Sequence, residues 1–263
     1  MRVRTLAAAA LVLAAMLFPS AAPHASTLDQ VKARGKLIAG VRYDSPPFGY
    51  LDPAGKVVGF DIDLIREISK RLGVELEVMQ VTAKTRIPTL EAGKIDVIAA
   101  ALTHTRERDK VLDFTISYVL DGQKLMVPKG SAIRSAKDLD SKTVAAVQGS
   151  YNEATIRKVA PGARVLVFQE YPQAFLALKQ GLADAFTTIV TILEAVGKKD
   201  PGFEIVGELL TTEPIAFGVR ENDSKWRDAL NFTLQDMVAD GTYKTIFERY
   251  FSFAYQPLET WAP

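Results

Sequence analysis

Along the chain, short apolar runs of strand length alternate with longer stretches in which apolar residues recur at helical spacing. Lys36 to Arg42 reads as a strand, and Tyr43 to Phe48, with Pro46 and Pro47, as a rigid loop after it. From Gly59 a helical pattern places apolar residues at 62, 65, 68 and 72, until Gly73 stops it. Val74 to Val81 alternates as a strand, and Thr85-Arg86-Ile87-Pro88 opens a helix ending at Gly93. Ile95 to Leu102 is an apolar run with Asp96 as its one polar residue, as expected of a parallel strand buried on both faces. Thr103-His104-Thr105 then place hydroxyls where a helix over Arg106 to Leu112 would take its N-cap.

Gln123 to Val127 reads as a strand leaving this unit, and Ser131 to Lys142 as a polar link. The alternation then restarts, with strands at Thr143–Val147, Arg164–Phe168 and Ala183–Phe186. Helices are predicted from Gly149–Glu153 onward, over Gln173–Lys179 and over Ile189–Val196. Pro214 to Val219 runs back as a second crossing strand, and 223–240 and 242–251 are amphipathic helices parted by Gly241. Their Trp226, Tyr243, Phe247, Tyr250 and Phe251 are expected to be buried rather than to cage a ligand. The predicted architecture is α/β with two lobes: residues 26–122 with 219–263, and residues 123–218. Two strand crossings form a hinge between them, and the cleft they enclose is the expected place for a small molecule. A chain of 263 residues with 48% hydrophobic content can furnish two modest cores.

Residues 1–25 have a different character. Arg2 and Arg4, an apolar run from Leu6 to Phe18 and small residues through Ala25 give the layout of a secretory signal peptide, with cleavage after Ala22 or Ala25. The run is too short to span a membrane, so a soluble, exported product is expected. Its removal takes away two arginines and no acid, turning a net charge of +1 negative. No basic block or aromatic stripe suits nucleic acid. The chain has no Cys, which excludes a lipid-anchored Cys and a disulfide framework. His104 is the single His after the leader, which leaves a typical zinc or iron site without ligands. No cofactor is expected. Nor is there a G-x-S-x-G, a phosphate loop or a Cys/His pair.

The candidate chemistry lies in three arginines at corresponding strand-to-helix junctions. Arg42, Arg86 and Arg108 would share one sheet edge if their strands are neighbours in a parallel sheet. Arg108, three residues past Thr105, offers a planar fork matched to a carboxylate, next to helix-start N–H groups that favour an anion. Asp61 and Asp63 fall in a first helical turn, where acids suit the helix dipole better than they suggest a catalytic pair.

Five segments carry a specific resemblance: Gly59-Phe60-Asp61-Ile62-Asp63-Leu64, Gly93-Lys94-Ile95-Asp96-Val97, Thr105-x-x-Arg108, Asp113-Phe114-Thr115 and Ala239-Asp240-Gly241-Thr242-Tyr243. Together they resemble the polar amino-acid family of periplasmic solute-binding proteins, over essentially the whole chain after the leader. Ser69 departs from it, standing where a small apolar residue is usual. The resemblance implies a type II periplasmic-binding fold in the periplasm, a monomer that closes on a small-molecule carboxylate and delivers it to the membrane permease of an ABC importer. It implies that Arg108 holds the ligand α-carboxylate, Thr103 gives hydroxyl and backbone contacts, and Ala101 offers a carbonyl. Arg42 and Arg86 resemble the extra arginines of glutamate/aspartate-binding members, which grip the side-chain carboxylate; basic-ligand members carry an acid at the position of Arg42 and an aromatic at Ala83. Ser150, Tyr151 and Tyr171 match the second lobe's ligand loops.

One position breaks the pattern. The aspartate that accepts the ligand ammonium falls at Ile189, with Thr188 the nearest polar side chain. Either Thr187, Thr188 and backbone carbonyls replace it, or the ligand is a dicarboxylate without an amine. A dehydratase acting on a prephenate-like carboxylate is the remaining alternative on this fold, with Glu153 or Glu170 as its weak general-acid candidates.

Overall fold

A computed structural model describes residues 25–198 and 200–258. The signal-peptide reading therefore falls, except for Ala25, outside the described residues. Helix α1 (Thr27–Arg34) starts where the Ser26 hydroxyl accepts from the Asp29 N–H and ends at left-handed Gly35. Strand β1 (Lys36–Val41) leads into a three-stranded patch of β2 (Asp44–Ser45), β3 (Gly49–Leu51) and β4 (Val57–Val58). Helix α2 (Phe60–Leu72) follows and is closed by left-handed Gly73, whose N–H caps the Lys70 carbonyl. Strand β5 (Glu75–Gln80), helix α3 (Arg86–Glu91) and strand β6 (Val97–Thr103) complete a run in which β5, β1 and β6 are parallel neighbours.

The helix expected over Arg106 to Leu112 is a single 3₁₀ turn, Arg108–Lys110. Strand β7 (Leu112–Phe114) claims the rest, since Leu112 and Phe114 bury their side chains with Asp113 between them. Strand β8 (Val119–Asp121) then leads to the crossing.

The second sheet is built from β9 (Gln123–Pro128), β10 (Thr143–Val147), β11 (Arg164–Phe168), β12 (Ala185–Ile189) and β13 (Phe203–Val206), in the order β11-β10-β12-β9-β13. Its helices are α4 (Tyr151–Val159), α5 (Tyr171–Lys179) and α6 (Val190–Gly197). The link expected to be merely polar holds a short 3₁₀ helix, Ala136–Leu139, fixed by a reciprocal Ser135 and Asp138 cap. Strand β14 (Glu213–Arg220) returns to the first sheet, antiparallel to β6, β7 and β8. Helices α7 (Ser224–Ala239) and α8 (Thr242–Tyr250) end the described fold.

These last helices supply the aromatic core of the first lobe. Trp226, Tyr243 and Phe247 are fully buried, Phe251 nearly so and Tyr250 half-buried, as their spacing predicts. Phe60, at the start of α2, is ringed by Phe48, Tyr118, Tyr243, Phe247 and Phe251 at centroid distances of 4.8 to 6.5 Å. Burial of each such ring contributes roughly 2–3 kcal/mol, enough to bind α8 to the α2 face. No described helix is long and apolar enough to cross a membrane.

Candidate functional site

The parallel order β5-β1-β6 brings the three arginines to one edge of the first sheet, because each lies just beyond the carboxyl end of one of these strands. Their surroundings differ. Arg42 is buried and its Nε and Nη2 face Asp44 at 2.8 and 2.5 Å, an ion pair that the sequence reading did not include. The same guanidinium lies over the Tyr171 ring, 4.5 Å from its centroid. Burial works against the Arg42 charge, but Tyr171 and Asp44 outweigh it and raise the pKa. This pair takes two of the five guanidinium N–H donors and leaves one on Nη2 and two on Nη1.

Arg86 is also buried, yet among the described residues it donates only to the backbone carbonyls of Ala100 (2.6 Å) and Ala101 (3.2 Å). Its Nε has no hydrogen-bond partner among the described residues. Burial, then the charges of Arg108 and Arg42, press its pKa well below the ordinary arginine value. Arg108 donates to the Thr103 carbonyl at 2.8 Å and, across the cleft, to the Gly149 carbonyl at 3.5 Å. Burial lowers its pKa as well. Neither Arg86 nor Arg108 forms an ion pair among the described residues. The Thr105 hydroxyl accepts from the Arg108 N–H at 3.2 Å, as a cap would, but one 3₁₀ turn gives no helix dipole to add to it.

Ala101 lies in the left-handed region at φ 46°, an unusual place for an alanine. Its N–H donates to Asp61 Oδ2 at 2.7 Å and its carbonyl accepts from Arg86, so both groups are already engaged. Asp61 is thus more than a helix-start acid: it is fully buried beneath the strand that leads to Thr103. Burial raises its pKa to about 7, against the Ala101 N–H, Tyr118 and Arg86, which lower it.

Between the lobes lies a cleft of about 800 Å³ whose wall includes Thr103, Thr105, Arg108, Ser150 and Tyr151. Arg42, Arg86, Tyr171 and Thr188 lie outside this wall and are buried. The Ser150 hydroxyl caps α4 by accepting from the Glu153 N–H at 3.0 Å. The lobes touch: the Tyr171 N–H donates to Asp44 at 3.1 Å, and a Cβ on Gly149 would meet the Lys84 Cα at 2.8 Å. Among the described residues, no group of three or more His, Cys, Asp and Glu could hold a metal ion.

At the hinge end, Ile189 is buried in the core and stands at the N-cap of α6 without a side-chain cap. Asp121 on β8 does that work from the other crossing, accepting from the Thr191 hydroxyl at 2.5 Å and its N–H at 3.4 Å. Thr187 donates to the Lys124 carbonyl and accepts from Gln123, both at 2.8 Å, which commits it away from any ligand. Thr188 donates to Asn152 Oδ1 at 3.4 Å. Glu213, Asn152, Asp44 and Asp61 are the site-edge residues that the sequence reading passed over. A signal existed for Glu213, the one acid in the otherwise apolar Pro214–Val219 crossing and its first neighbour.

The family model for bacterial extracellular solute-binding proteins, family 3, matches residues 37–253. The chain belongs to this family. A glutamine-binding protein of Geobacillus stearothermophilus is 44% identical over 213 residues, covering 79% of this chain and 81% of that one. A glutamate/aspartate import solute-binding protein of Escherichia coli (strain K12) is more distant, 28% identical over 88% of this chain and 82% of its own. Among solved structures, a mutant of ArgBP from T. maritima superposes with a TM-score of 0.83 at 37% identity, covering 86% of this chain and all of that one. The two sheets and paired crossings are thus the two-lobed periplasmic-binding fold that family 3 members share.

Proposed function

We propose that the chain is the extracytoplasmic receptor of an amino-acid ABC importer, closing on glutamate or aspartate and presenting it to a membrane permease. One observation carries the acidic preference: the buried Arg86 guanidinium and the half-buried Arg108 guanidinium on the cleft wall have only backbone carbonyls as hydrogen-bond partners among the described residues. Neither cation has an ion-paired acid among the described residues, and a ligand with two carboxylates supplies one to each. In this reading Arg108 takes the α-carboxylate and Arg86 the distal one, while Arg42, held by Asp44, backs the Tyr171 ring that closes the pocket. Thr103, Ala101, Ser150, Tyr151 and Thr188 complete the contacts. Residues 26–122 with 219–263 form one moving lobe and 123–218 the other, except that residues 213–218 move with the first sheet as part of β14; the leader directs export to the periplasm, and the receptor works as a monomer.

A second reading has its own support. The Arg42–Asp44 pair cancels one of the three charges, and a glutamine-binding protein is 44% identical, so a carboxamide could take the place of the distal carboxylate. Of the two general-acid candidates for turnover, Glu153 is committed to the Gly149 N–H and to Arg157, which leaves Glu170 alone. Calorimetry of the purified protein against glutamate, aspartate, glutamine, arginine and succinate tests these readings. Glutamate or aspartate is expected to bind at least about tenfold more tightly than glutamine, because an amide leaves the buried Arg86 charge uncompensated. Preference for glutamine would replace the acidic reading, and binding of succinate alone would remove the amino acid from it.

A further inference from the structure

Arg86 and Arg108 account for the negative end of a ligand, and Ile189 in place of an acid leaves its positive end without an evident partner. The hinge supplies one. Strands β8 and β14 place Asp121 and Glu213 directly opposite each other, two carboxylates on the paired crossings. Glu213 is fully buried. Its Oε2 accepts from the Thr103 hydroxyl at 2.7 Å, and its Oε1 from the Asn152 amide at 2.6 Å and the Thr211 hydroxyl at 2.8 Å. All three donors are neutral, and Glu213 has no ion pair among the described residues. Glu213 is also the strongest influence favouring the charge of Arg108.

The hydrogen bond from Thr103 fixes more than a position. A hydroxyl has one proton, and Thr103 gives it to Glu213, so its remaining capacity is to accept. Whatever meets Thr103 Oγ1 from the cleft must therefore donate. A ligand ammonium does so, and a second carboxylate or a ketone oxygen does not. The carbonyl of the same residue accepts from Arg108, so donor-seeking and acceptor-seeking ends lie side by side at the scale of an α-amino acid headgroup.

We infer that Glu213 is the counter-charge for the ligand ammonium, acting through and beside Thr103, and that it makes the site select α-amino acids over their amine-free analogues. The inference rests on the reading that an amino acid binds with its α-carboxylate on Arg108. It explains how Ile189 can join the core without loss of amine recognition: the acid comes from the second crossing strand, and Asp121 takes over the capping of α6.

The test is binding of L-glutamate and of 2-oxoglutarate, which differ at the α-position alone, to wild type, Glu213→Gln and Thr103→Val, with ligand-free melting curves as the check on folding. In Glu213→Gln, glutamate affinity should fall roughly tenfold or more, since close desolvated charge pairs couple strongly, while 2-oxoglutarate affinity holds or rises. Thr103→Val should change the ratio in the same direction and serves if Glu213→Gln does not fold. Equal loss for both ligands would make Glu213 a hinge strut only and overturn the inference. If wild type prefers glutamine to glutamate, the acidic reading fails alone, and glutamine against its 2-oxo analogue takes over the comparison. Wild-type binding confined to amine-free acids overturns both.

Discussion

Arg108 makes no ion pair with the described protein, so its removal should subtract a ligand contact and little from the fold. Arg108→Ala is expected to weaken amino-acid binding about a hundredfold or more, as the loss of a charge-assisted pair in a closed site implies, with the ligand-free melting temperature nearly unchanged. Calorimetry checks it, and an affinity within threefold of wild type would move the α-carboxylate elsewhere. Asp61 offers a second residue-scale test. Its carboxyl is lifted to about 7 by burial, against about 3.9 in an unfolded chain, so between those values the native state holds a proton that the unfolded state releases. Stability therefore falls as pH rises through that window, by up to about 4 kcal/mol. Asp61→Asn, neutral at every pH, should gain on wild type from pH 4 to 7 and then stay level; a constant gap would mean that Asp61 is ionised throughout. Arg108 and Thr103 could be found from the chain alone because a strand-to-loop junction is written in adjacent residues. Arg42 could be placed but not its Asp44 partner, since which face a loop acid turns to depends on packing against Tyr171.

At the scale of elements, α2 begins at Gly59 with φ 139°, where a Cβ would lie 2.2 Å from the Phe48 carbonyl oxygen. Gly59→Ala combines a backbone conformation closed to L side chains with a backbone clash, and should cost at least about 2 kcal/mol in denaturant unfolding. A loss under about half a kcal/mol would show that the loop yields freely. The Gly59 and Gly73 brackets made this helix readable, as did its apolar spacing. The segment 106–112 was not readable in the same way. Its helix-like cap is real at Thr105, but Leu112 and Phe114 gain more by joining β14 than by continuing a turn, and sheet partners far along the chain leave no local mark. Glu213 escaped for a related reason: its donors, Thr103 and Asn152, come from separate lobes and meet only when both sheets are assembled.

For the whole molecule, the contacts of Tyr171 with Asp44 and of Arg108 with Gly149 describe lobes drawn together. Gly149→Ala would set a methyl against the Lys84 backbone and resist that approach. The expected outcome is roughly tenfold weaker binding, as a closed state made harder to populate lowers apparent affinity, with a smaller ligand-induced decrease in radius of gyration by X-ray scattering than in wild type. Full closure with normal affinity would show that the loop around Lys84 makes way. The layout of the crossings also fixes an order of completion. All five strands of the second sheet come from the uninterrupted stretch 123–206, whereas the first sheet needs β14, and its aromatic core needs α7 and α8. Thr27, near the start, is tied to Asp223 by its N–H and to Arg220 by its hydroxyl. As a chain emerges N-terminus first, the lobe encoded in the middle can finish folding while the lobe encoded first must wait for the end. The Arg108 and Glu213 contacts cannot coexist before β14 arrives, so a nascent chain acquires its ligand site last, after most of its length is already compact.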